Sequence, residues 1–139
     1  MKYLLIALLP VLLLTCEKND PAPTLPACGP AITITPAAPQ SDGFALTNAS
    51  VDGFCLTLTV AATGCGSDSW TAELLTDGVV AESSPTQTSA RLVLNLNQGP
   101  IVCQAEFEKD FTFDLTDYLT GALPTRLRLE DTETVLEVR

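Results

Sequence analysis

The sequence predicts an all-β protein folded as an antiparallel sandwich. Three observations carry that expectation. Thr, Val, Leu and Phe recur in short runs that alternate apolar with polar residues. Gly, Asn, Asp and Pro cut between the runs at short intervals. Several runs are apolar on one side only, and strands of that kind bury their apolar faces best between two packed sheets.

The candidate strands are taken in chain order. Runs 31–35 and 44–48 come first. In 54–62, Leu56, Leu58 and Val60 point inward while Thr57 and Thr59 point outward. Runs 69–76 and 79–82 follow, joined by Thr76-Asp77-Gly78, which reads as a hairpin turn of the Asp-Gly type. In 90–95 the inward set is Leu92 and Leu94, extended by Leu96, and Asn97-Gln98-Gly99-Pro100 ends it. Runs 101–108 and 110–115 come next, with Phe111, Phe113 and Leu115 forming an apolar stripe. Thr116-Asp117-Tyr118-Leu119 is the one helical turn. Run 125–130 turns Leu127 and Leu129 inward, and in 134–138 Val135 and Leu136 leave the facing open. An immunoglobulin-like or related Greek-key sandwich fits this series, with a small closed barrel second.

The chain begins Met1-Lys2-Tyr3, and residues 4–14 are almost wholly apolar. That run is about half of the roughly 20 residues a spanning helix needs, and Pro10 interrupts it. It reads as a secretory signal. Leu13-Leu14-Thr15-Cys16 resembles the bacterial lipobox. The resemblance implies removal of residues 1–15 and a diacylglyceryl group on Cys16. Glu17-Lys18-Asn19-Asp20 resembles the surface-export signal of Bacteroidota lipoproteins, and equally reads as a solvated spacer. Pro21, Pro23, Pro26 and Pro30 make the next stretch an extended stalk. The expected division is a signal peptide at 1–15, lipidated Cys16 and stalk at 16–30, and a β-sandwich at 31–139. The expected address is the outer membrane, held through the lipid anchor, on its surface or periplasmic face.

Loss of Lys2 with the leader leaves six basic against seventeen acidic side chains, net −11. Such a chain repels nucleic acid and suits a basic partner. With Cys16 lipidated, Cys28, Cys55, Cys65 and Cys103 remain, an even number that reads as two disulfides in an exported chain. Cys55 shares the outward register of Thr57 and Thr59 and is placed to staple the segment carrying Cys28. Cys103 shares the register of Ile101 and Phe107, on the core side, and Cys65 sits at a strand end. The expected pairs are Cys28–Cys55 and Cys65–Cys103.

Two stretches resemble a group of small Bacteroidota lipoproteins of unknown role. One runs from Cys55-Leu56-Thr57-Leu58-Thr59-Val60 into Gly64-Cys65-Gly66-Ser67-Asp68-Ser69-Trp70, and the other is Cys103 followed by Phe113-Asp114-Leu115-Thr116. In that group a histidine stands where this chain has Asp68, and an aromatic where it has Trp70. The resemblance implies fold and address only.

With no histidine, Ser-His-Asp and Cys-His catalysis and His-based zinc sites fall away. Glu106 and Glu108, near Lys109 and Asp110, share a strand face and could act as a glycosidase-like acid/base pair, or simply be solvated. Asp42, Asp52, Asp68 and Asp77 lie near turns, where calcium binds and where Asp also bonds its own backbone. No metal or cofactor is expected. Trp70 and Asp68 are possible binding residues; Trp70 reads either as a platform for a ligand or as core beside a disulfide. Asn48-Ala49-Ser50 matches the N-glycosylation pattern. The expected function is a non-catalytic envelope or cell-surface binding or accessory protein for a protein or glycan ligand. The alternatives are an acidic inhibitor of a basic secreted enzyme and a carboxylate-only glycoside hydrolase.

Overall fold

The computed structural model describes residues 28–37, 39–100 and 103–139. Cys16, Glu17-Lys18-Asn19-Asp20, most of the stalk and Ile101 lie outside them. The elements are β1 (Thr33–Ile34), β2 (Ala45–Asp52), β3 (Cys55–Gly64), β4 (Thr71–Thr76), β5 (Val80–Ala81), β6 (Thr86–Asn95), β7 (Ala105–Asp114), α1 (Thr116–Leu119), β8 (Thr125–Leu129) and β9 (Val135–Val138).

Two sheets face one another, so the expected sandwich is what forms. The smaller is antiparallel, in the order β2-β3-β7. The larger runs β1-β4-β6-β8-β9, with β5 also pairing β6. Leu56, Leu58, Val60 and Phe113 of the smaller sheet share one core with Leu74, Ala90, Leu92, Leu94, Leu127, Leu129 and Val138 of the larger. The alternation read from β3 holds: Leu56, Leu58 and Val60 are fully buried while Thr57 and Thr59 are not. In β9 the inward residues are Leu136 and Val138, leaving Val135 exposed.

Several expectations need correction. The larger sheet is not wholly antiparallel, because β1 pairs β4 in parallel and β6 pairs β8 in parallel. Side-chain alternation carries no strand direction, and β7 crosses to the other sheet between β6 and β8. Asp77-Gly78 does not make a hairpin. β4 and β5 both run antiparallel to β6, β4 along Arg91–Asn95 and β5 along Gln87 and Thr88. The two residues interrupt one edge without reversing it, with Gly78 at φ +82°. Runs 101–108 and 110–115 merge into β7, and Cys103 precedes that strand, half-buried, instead of lying on its core side.

β7 runs unbroken through Lys109, paired to β3 along its whole length. This lysine occupies an inward position between Phe107 and Phe111. Its ammonium lies 5.3 Å from the centre of the Phe111 ring and donates to the carbonyls of Ser67, Asp68 and Trp70 at 3.0, 3.3 and 2.9 Å. A charge in an inward register is tolerable once its stem covers apolar surface and its donors are satisfied.

Threonines are also found inside. Thr76, Thr88 and Thr125 are buried. Tyr118, on α1, has its hydroxyl 3.1 Å from Thr76 Oγ1 and 2.6 Å from Thr88 Oγ1. Thr88 donates to the Val79 carbonyl at 2.8 Å, and Thr125 to that of Ala122 at 2.6 Å. Buried hydroxyls with partners avoid the desolvation cost of orphaned ones. Pro30 accepts from the Asp114 amide at 3.0 Å, and a side chain at Gly29 would collide with the Thr112 carbonyl.

Candidate functional site

The two disulfides form as expected. Cys28 joins Cys55 at the start of β3, and Cys65 joins Cys103 just beyond its end. Ten residues of strand separate the two staples, roughly 30 Å at about 3.3 Å per residue. The Cys28 end receives the preceding chain and is called the base; the Cys65 end is the tip.

The tip is built from residues 65–70 and 96–100. Side-chain-to-backbone bonds lace these two loops together. Ser69 Oγ donates to the Leu96 carbonyl at 3.0 Å, and Asn97 Nδ2 to the Ser69 carbonyl at 2.6 Å. Gln98 Nε2 donates to the Thr63 carbonyl at 2.8 Å and lies over Gly64, where an added Cβ would collide with it. Gly64 is thus the position that lets Gln98 close over the strand end. Between the loops lies a cleft of about 460 Å³, walled by Cys65, Gly66, Gly99 and Pro100, with Asp68, Ser69, Asn97 and Gln98 offering polar atoms. That volume is within the usual range for small-ligand sites, about 300–1,000 Å³. It presents one carboxylate, two amides and a hydroxyl beside an apolar wall.

Asp68 and Trp70 separate here. Asp68 is exposed and lines the cleft. Trp70 is 2 % exposed and belongs to the core, so it offers no platform at the surface. Its indole Nε1 is buried and, among the described residues, has no hydrogen-bond partner; it lies near Gly64. Sequence reasoning missed the contribution of 96–100, although Asn97-Gln98-Gly99-Pro100 carries the signal of a break.

The remaining acids are spread out. Glu106, Glu108 and Asp110 stand exposed on the outer face of β7, an open sheet surface. Asp110 Oδ1 accepts from Thr59 Oγ1 at 2.6 Å. Asp77 accepts from the Val79 amide at 2.9 Å, the local backbone bonding typical of Asp at turns, whereas Asp42 accepts from the distant Leu96 amide at 2.8 Å just beyond β6. Among the described residues no group of three or more His, Cys, Asp or Glu could hold a metal ion. Asp114 accepts from the Thr116 side chain and from its amide, at 2.8 Å for the latter, and these bonds hold its carboxyl below the ordinary value. No helix among the described residues is long and apolar enough to cross a membrane.

No family model matches the chain, and no curated protein does. Among solved structures, a Bacteroides vulgatus protein of unknown function, DUF1344, is similar with a TM-score of 0.54 at 12% identity. The match covers 78% of this chain and 55% of that one, so the chain spans about half of its neighbour's length. At that identity the likeness is one of fold.

Proposed function

We propose that the chain is a non-catalytic binding or accessory module of the outer membrane, anchored by lipid on Cys16 and meeting a protein or glycan ligand at the tip. The observation that supports this reading is the polarity of the sandwich. Cys28, twelve positions after Cys16, is clamped at the base, and the laced cleft lies at the other end of β3. A ligand site opposite an anchor is open to the surroundings. The test is metabolic labelling with palmitate, followed by protease shaving of whole cells carrying a C-terminal epitope. Label on the chain, lost in Cys16→Ser, supports the anchor. Removal of the epitope from intact cells supports the cell surface, and its protection supports the periplasmic face. A wild-type chain without label sinks the lipoprotein reading.

A second reading has its own support. The outer face of the smaller sheet carries Asp52, Glu106, Glu108 and Asp110, all exposed. Such a face suits capture of a basic secreted enzyme, and binding to it would weaken steeply with salt.

A further inference from the structure

The five basic side chains of the described residues divide into two groups. Arg91 pairs with Glu130 at 3.1 Å and with Asp131 at 3.3 Å. Arg139 pairs with Glu137 at 3.0 Å, and Lys109 is held by three carbonyls. Arg126 and Arg128 are exposed and, among the described residues, have neither a close ion pair nor a hydrogen bond, although the Arg126 charge helps to lower the Glu137 carboxyl from a distance. The carboxylates nearest in register are already engaged: Glu137, opposite Arg126 on β9, by Arg139, and Glu130, beyond Arg128 on the same chain, by Arg91 and Ser89. Two such guanidiniums side by side are conspicuous in so acidic a chain.

They stand on the floor of a groove of about 410 Å³ on the outer face of the larger sheet, whose lining also includes Asp77, its carboxylate bonded to the Val79 amide. Gln87 and Ser89 of β6 pair with Arg126 and Arg128 and complete the floor. The order β5-β6-β8-β9 puts Val79 on one bank and Val135 on the other. Both valines are more than half exposed, at 62 % and 56 %. Ile34, also 62 % exposed, lies against Gly78 beside Val79. Two of the four large apolar residues exposed among the described residues therefore border the groove, and a third, Ile34, lies just outside it.

We propose that this groove docks an extended acidic peptide segment of a partner protein, with Asp or Glu at alternate positions. An extended chain presents every second side chain on one side, about 6.6 Å apart, which is also the spacing of Arg126 and Arg128 along β8. Each guanidinium can then take a carboxylate bidentately. The valine banks match the aliphatic stems of such a segment. An anionic membrane fits less well: adhesion there draws on clusters of roughly four to eight basic residues, and this chain is strongly acidic. This site is independent of the anchor and of the tip.

The experiment uses the whole mature chain with Cys16→Ser and a short labelled peptide with glutamates at every second position, read by fluorescence anisotropy. A peptide of the same composition with glutamates at every third position is the comparison. The alternating peptide binds more tightly, and Arg126→Gln and Arg128→Gln each weaken it about five-fold. Arg128→Lys weakens it too, because a point charge replaces a fork. Asp117→Asn, on α1, leaves it unchanged. Bound peptide also shields both arginines from phenylglyoxal, a readout that needs no substitution. Equal binding of the two spacings, or indifference to both arginine changes, overturns the proposal. So does arginine-dependent binding of a uronate oligomer or of anionic vesicles where the peptide does not bind. None of these outcomes touches the palmitate test of the anchor.

Discussion

The base and the tip of the sandwich are closed in different ways. At the tip the core ends in one large side chain, Trp70, and the loops above it are laced by Ser69, Asn97 and Gln98. At the base it ends in small hydroxyls shared around Tyr118, with Leu115 and Leu119 buried beneath. Each end has a disulfide. The contrast teaches that a small sandwich can seal its ends either by volume or by a distributed polar network. Volume fails all at once when removed, and a network fails bond by bond.

The sharpest way to break the contrast is Trp70→Ala, which empties the tip. Urea unfolding followed by circular dichroism is expected to show a loss of about 3–5 kcal/mol. Removal of either disulfide by paired Ala substitution comes next, at about 2–4 kcal/mol each. The Cys65–Cys103 link spans 38 residues and the Cys28–Cys55 link 27, so chain entropy makes the tip link stronger by only a few tenths of a kcal/mol. A much larger difference between the two, measured under the same conditions, would mean that one end unfolds on its own. Tyr118→Phe tests the network and should cost about 1 kcal/mol, since Thr76 and Thr88 keep carbonyl partners at Ser89 and Val79. A loss as large as that of Trp70→Ala would erase the difference between the two ends.

The smallest effect concerns pH. Asp114 has its carboxyl lowered by the Thr116 side chain and amide. A carboxyl lowered on folding adds stability above its unfolded value, and that contribution fades as pH falls through the folded one. Because Asp114 is open to solvent, the effect is slight and belongs to the acid limb of the stability curve. Asp114→Asn should flatten that limb a little and leave neutral stability nearly unchanged, as thermal melts across pH can measure.

Much of this fold is legible in the residues. The β3 alternation of Leu56, Leu58 and Val60 against Thr57 and Thr59 assigns its faces correctly, and parity at Cys55 leads to its partner. Part of what is not legible has one cause: polar residues turned inward. Lys109 interrupts the apolar pattern of β7 because its hydrogen-bond partners lie in a loop some forty positions away. Thr86 to Ser89 look like a loop because Thr88 finds Tyr118 only after folding. Asp77-Gly78 carries the signal of a reversal, but the shared pairing of β4 and β5 with β6 overrides the local preference. The cleft at the tip is half visible, through Asp68, and half hidden, because its other wall comes from residues 96–100. The arginine groove is hidden for a simpler reason. Alternating Arg126 and Arg128 look like an ordinary solvated face, and only the fold shows that the carboxylates nearest in register are taken.

The Cys28–Cys55 link also decides how the domain meets a mechanical load. A pull on the N-terminal side arrives at Cys28 and passes through the covalent bond into β3. That strand is central in its sheet, bonded along its length to β2 on one side and β7 on the other. Tension entering there must shear two ladders together, whereas a pull on two-residue β1 alone would peel it away. The staple thus turns the weakest strand's position in the chain into a grip on one of the best-held strands of the molecule.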